Sequence, residues 1–185
     1  MKAYHKCTRP FLYAGLVAVT LSAGQGAYGA GPANVEFSGA MVAQPCTLPD
    51  ENSNIEVEFG TVINKNLYSS ARTNRTNVSL TLEDCDLTMD QPTVSISFSG
   101  PPSTQLPGLI ALDPSSQASG VAIGLETADG KLLPLDKNSE KQLLITGSNT
   151  LNFKAFVQGE PDAIENKSIT LGPFSALAMF TLKYE

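Results

Sequence analysis

The stretch "GPFSALAMFTLKYE", residues 172–185, decides how the rest of the chain is read. Every second residue from Gly172 to Tyr184 forms one series: Gly172, Phe174, Ala176, Ala178, Phe180, Leu182 and Tyr184. Six of these seven carry an apolar or aromatic body, the period-2 pattern of a β-strand with one buried face. The series runs to the penultimate residue, so no turn follows to bring a neighbouring strand along the far edge. An unpaired edge exposes a row of N–H and C=O groups and needs a cover. Leu177 and Met179 fall on the opposite face, where a solvated strand prefers polar groups; packing under a loop or against another chain accounts for them.

The beginning of the chain reads differently. "MKAYHKCTRP" carries Lys2, Lys6 and Arg9 and no acid. The apolar run "FLYAGLVAVTLSAG" follows, and then the small residues of "GQGAYGAGPA". Basic, apolar, small is the order of a secretory signal peptide. The apolar run is short for a membrane span. The expected cut lies after Gly29. Removing 29 of 185 residues leaves 156, with nine basic and eighteen acidic residues and a formal charge of −9. That acidity disfavours nucleic acid and anionic membrane surfaces as partners. The only histidine, His5, leaves with the leader, as does Cys7.

Cys46 and Cys85 then remain, and two cysteines in an exported chain are expected to form one disulfide. A loop of this size is worth about 4 kcal/mol in the chain-entropy picture. A thiolate metal site would need two more soft ligands, and no histidine remains to supply them. No metal, no cofactor and no catalytic residue is expected. A Ser-His-Asp arrangement is impossible without histidine. The acids of "EDCD" (83–86) read as a solvated turn rather than as a paired-carboxylate site.

Alternation recurs along the mature chain. "NVEFSGAMVA" (34–43) places Val35, Phe37, Gly39, Met41 and Ala43 on one face. "NIEVEFGTVI" (54–63) puts Ile55, Val57 and Phe59 inside and Glu56 and Glu58 outside. "NVSLTLEDC" (77–85) and "PTVSISFSG" (92–100) alternate in the same way. "GVAIGLETADGKLLPL" (120–135) reads as strand, turn at Asp129-Gly130, strand; "LLIT" and "TLNFKAFVQ" add two more. Gly/Pro/Ser/Asp loops separate these runs, and no segment sustains a helical period. The expectation is an all-β sandwich in one domain.

In order along the chain, these motifs resemble the subunits of pili assembled by the chaperone–usher route of Gram-negative bacteria. "VEFSGAMVAQPCTL" resembles the family's apolar-x-Phe-x-Gly motif leading to the first cysteine. "VEFGTV" and "VSLTLEDC" resemble the strands that follow, the second ending at the second cysteine. Gly172, fourteenth from the end, and the penultimate Tyr184 match the family's C-terminal pattern. The resemblance implies an immunoglobulin-like sandwich lacking its last strand, with an N-terminal donor-strand extension. It divides the chain into a signal peptide (1–29), the extension (30–43) and a pilin domain (44–185).

It also implies partners. A periplasmic chaperone lends a strand beside the final one. At the outer-membrane usher the extension of the next subunit replaces it, a case of β-augmentation. Val35, Phe37, Gly39 and Met41 would form the donor face. Burying one residue such as Phe37 contributes roughly 1.5–3 kcal/mol. Gly172, Phe174, Ala176, Ala178, Phe180, Leu182 and Tyr184 would line the acceptor edge. The carboxylate of Glu185 would sit in the chaperone's basic cleft. The function implied is a non-enzymatic subunit of an adhesive pilus, exported to the periplasm and then extracellular. The short extension points to a minor tip or adaptor subunit. The alternatives are a subunit that terminates assembly at the base and a carbohydrate-binding adhesin. An adhesin of this family carries an additional lectin domain and no donor strand, and the lack of Trp removes a favoured sugar-stacking side chain.

Overall fold

The structure is a computed structural model, and it describes residues 44–87 and 92–185. The leader and the extension with Val35, Phe37, Gly39 and Met41 lie outside the described residues. In chain order the elements are α1 (Asp50–Ser53), α2 (Asn64–Ser70), β1 (Thr76–Cys85), β2 (Thr93–Ser99), β3 (Ile110–Ala111), β4 (Val121–Thr127), β5 (Gln142–Leu143), β6 (Gly147–Gly159), α3 (Pro161–Glu165) and β7 (Met179–Tyr184).

The strands form two antiparallel sheets, ordered β1-β6-β4-β3 and β5-β2-β7. Their inner faces supply one core. Val78, Leu80 and Leu82 of β1 and Leu151, Phe153 and Ala155 of β6 meet Val94 and Ile96 of β2. Phe98 meets Phe153 edge to face, with ring centroids 5.5 Å apart. A second group, Leu67, Ile110, Val121, Ile123, Leu135 and Val157, fills the other end. Alternation in the sequence is therefore the pleat of half-buried strands.

Several segments depart from the sequence reading. The second arm of the 120–135 hairpin never becomes a strand: after Leu132 bridges Glu126 and Leu133 bonds to Leu125, Pro134 lacks the N–H a ladder needs. The run 54–63 alternates in burial as expected but joins no ladder among the described residues. Three short helices stand where no helical period is visible, because four to seven residues are too few to show one.

The disulfide joins Cys46 to Cys85, both buried, across 39 positions. Beside it, Thr47 and Glu83 exchange backbone hydrogen bonds of 2.7 and 2.8 Å. On the outer face of the larger sheet, Gly124 lies opposite Phe156, whose ring a Cβ there would approach to 2.2 Å. Next to it Glu126 is only 2% exposed. Its carboxylate accepts from Arg72 Nη1 at 2.8 Å and from Arg75 Nε. Burial pushes this carboxyl up, but the Arg75 bond and charge, followed by those of Arg72, outweigh it and hold the group below its ordinary 4.5.

Two stability measurements check this picture. Cys46→Ser with Cys85→Ser should lower the unfolding free energy by about 4 kcal/mol in denaturant titration. A carboxyl held low in the fold contributes stability above its ordinary pKa, and that stability is lost as pH falls through the folded value. Glu126→Gln should therefore cost about 1–2 kcal/mol at neutral pH, the arginines being partly solvated. It should also flatten the fall in melting temperature below pH 4.5.

Candidate functional site: the outer edge of the terminal strand

Among the described residues, the last fourteen are held along one side only. Glu185 and Thr93 exchange both backbone bonds, at 2.8 and 3.0 Å. In an antiparallel ladder direction alternates, so residues 179, 181 and 183 also point at β2, while Phe180, Leu182 and Tyr184 point away. Beyond Met179 the run leaves β2, and the loop 113–119 takes over the same side. Ser175 O accepts from Asp113 N at 2.8 Å, and Pro173 O accepts from Gln117 N at 2.9 Å. Thr170 pairs with Ser119. Gly172 permits this docking: at φ +151° a Cβ would stand 2.6 Å from Gln117 Cβ.

The other side is different. Among the described residues, Phe174, Ala176 and Ala178 make no backbone–backbone hydrogen bond, and β7 is the last strand of its sheet. The same six residues from Phe174 to Tyr184 turn their side chains inward, where all remain half-buried. One continuous edge thus presents unpaired amides beside apolar groups that the core does not finish covering.

A second extended run borders the same core. Ile55 and Val57 pack on the group that holds Phe180, Leu182 and Tyr184. Val62 packs on the group that holds Phe174, Ala176 and Ala178, and Phe59 touches both. Phe59 and Phe174 rings tilt together at 6.3 Å. Residues 55–62 also make no backbone–backbone hydrogen bond among the described residues. Two runs with unsatisfied backbone therefore flank a core whose Phe98 and Leu125 stay half-buried.

The structure gathers Phe174, Ala176, Ala178, Phe180, Leu182 and Tyr184 onto one edge, while Gly172 docks on the loop 113–119 and Glu185 pairs with Thr93 on the β2 side. It adds Ile55, Val57, Phe59 and Val62 as the second wall. The alternation of Ile55, Val57 and Phe59 was legible and Val62 falls off it, but nothing local says that a strand has no neighbour. Leu177 and Met179 project outward, 68% and 67% exposed. The Glu185 side chain is held by Lys141 and Lys183, whose hydrogen bonds and charges pull it down to about 2. Burial pushes the Tyr184 phenol up. Glu83 and Asp84 are exposed at the irregular end of β1, and Asp86 just after it, rather than at the turn expected from the sequence. Among the described residues no group of three or more His, Cys, Asp or Glu is placed to hold a metal.

Comparison with known proteins agrees with this geometry. The sequence profile described as "Fimbrial protein" matches residues 35–185. PmfF of Proteus mirabilis, provisionally named a minor fimbrial subunit, is 32% identical over 153 residues, covering 82% of this chain and 84% of that one. The fimbrial adapter PapK of Escherichia coli is 29% identical over 174 residues, covering 91% and 95%. Major fimbrial proteins stand among the relatives at similar identity. The crystal structure of the P pilus rod subunit PapA superposes with a TM-score of 0.67 at 24% identity, over 77% of this chain and 100% of that one. The fold is therefore the immunoglobulin-like sandwich of pilins, and the chain belongs to the fimbrial protein family as a subunit of a chaperone–usher pilus.

Proposed function

We propose that this subunit is non-catalytic and polymerises by donor-strand exchange through the edge from Phe174 to Tyr184. The carrying observation is that six consecutive inward-facing residues keep both an unpaired backbone edge and half-buried side chains, opposite a second run in the same condition. An added strand would satisfy the amides and cover the apolar groups in one step. A periplasmic chaperone supplies that strand first, at the usher the extension of another subunit replaces it, and the assembled fibre lies outside the cell. In the other direction, Val35, Phe37, Gly39 and Met41 of this chain enter the preceding subunit. Glu185 lies at the chaperone-binding end of the edge. The place in the fibre is a minor tip or adaptor position. The short extension supports that placement, as does similarity to an adapter, although major subunits are equally similar.

Thermal unfolding with and without a peptide of residues 30–44 tests this reading. A large, slow and nearly irreversible rise in melting temperature is expected. A high melting temperature that no donor peptide moves would mean a complete sandwich or a shut groove, and would favour an assembly terminator. Two variants separate the two surfaces. Gly39→Leu should stop insertion into the preceding subunit while the chaperone complex still co-purifies. Deletion of 180–185 should abolish the chaperone complex; its survival would place the chaperone elsewhere.

A further inference from the structure

The outer face of the four-stranded sheet carries a second feature, away from the terminal edge. Leu106 and Leu109 of the loop before β3 cover Ala122 and Phe156 there. Beside this cover lies an open cleft of about 420 Å³, with Arg72, Glu126, Phe156 and Gln158 among its lining residues and Leu132 at its rim. Arg72 is fixed on two sides. Its Nη1 donates to the buried Glu126 carboxylate, and its guanidinium carbon sits 5.3 Å above the centre of the Phe156 ring. Arg75 satisfies the other Glu126 oxygen, so the carboxylate does not need all of Arg72. The Arg72 side chain remains 42% exposed. Among the described residues its other N–H groups and the Gln158 amide make no hydrogen bond.

We propose that this cleft recognises a carboxylate carried on a partly apolar body, with Arg72 as the recognising group and Glu126 and Phe156 as the residues that position it. A guanidinium already held in place loses little freedom on binding, and its planar fork matches a carboxylate in two parallel hydrogen bonds. The local charge chooses the class. Arg72 and Arg75 against one Glu126 leave a single net positive charge, which suits a monoanion better than a phosphate dianion. Leu106 and Leu132 offer apolar surface to the rest of the ligand. Two sources supply this chemistry: an acidic sugar, or a Glu or Asp side chain of a neighbouring subunit. The site is independent of strand exchange, because no residue of the terminal edge takes part.

The test is a titration of the purified, isotope-labelled chain, following the arginine Nε–Hε resonances. The probes are glucuronate and acetyl-leucyl-glutamate amide, with glucose and acetyl-leucyl-glutamine amide as neutral counterparts. At least one carboxylate should move the Arg72 resonance saturably, neither neutral probe should, and added salt should weaken the effect. Response to glucuronate alone assigns the site to an acidic sugar; response to the glutamyl peptide alone assigns it to a protein side chain. Arg72→Lys keeps a charge opposite Glu126 but loses the fork, and affinity should fall about tenfold. Leu132→Glu alters only the exposed rim, so it keeps the fold and should block binding by repulsion. No saturable shift with either carboxylate, or equal binding by Arg72→Lys and Leu132→Glu, would overturn the proposal.

Discussion

Backbone hydrogen bonding at the last strand is the constraint from which the rest of the structure follows. Buried amides have to be paired, because an unpaired one costs about 1–3 kcal/mol. Among the described residues, the run 173–185 meets that demand on one side only, first with the loop 113–119 and then with β2. Its inward residues point their amides the other way and their side chains into a core left partly open. Residues 55–62 repeat the condition across that core. β7 ends the order β5-β2-β7 and residues 55–62 belong to neither sheet, so neither run finds a further partner among the described residues. One edge of the sandwich is thus without a partner among the described residues.

Much of this was legible in the sequence because period-2 alternation is a local property. β1, β2 and β6 lie where Val78-Leu80-Leu82, Val94-Ile96-Phe98 and Leu151-Phe153-Ala155 place them. The inward set from Phe174 to Tyr184 follows from the same rule. What stayed hidden is non-local. Alternation at Ile55-Val57-Phe59 describes a face, and it does not reveal whether a ladder partner exists. The C-terminal run reads as one strand, yet only Met179–Tyr184 pairs with β2, and the loop 113–119 bonds to residues 173 and 175 before it. Gly172 stood out by its position in a family pattern. Its physical reason, the closeness of Gln117, needs three dimensions.

The outer face of the larger sheet was still less visible. Glu126 sits in "IGLETADG", where an acid in an alternating strand reads as solvent-facing. It does face outward, but Leu106 and Leu109 cover the neighbouring Phe156, and two arginines from the approach to β1 close over the carboxylate. Arg72 and Arg75 are separated from Glu126 by 54 and 51 positions, so no window of sequence joins them. A buried charge of this kind contributes modestly to stability for the desolvation it requires. Its clearer effect here is geometric, since it fixes a guanidinium over an aromatic ring.

The disulfide also governs how the domain carries force. Tension applied from the N-terminal side enters near Cys46 and crosses a covalent bond to Cys85 at the end of β1. β1 lies against the thirteen-residue β6 in register over most of its length. Residues 47–84, nearly all of β1 included, lie inside the closed loop, so a pull that crosses the disulfide does not run along their backbone. That intervening segment, with the wall from Ile55 to Val62, is spared the strain. Under such a pull the wall from Ile55 to Val62 would keep its place, because the disulfide and not its own backbone would carry the tension.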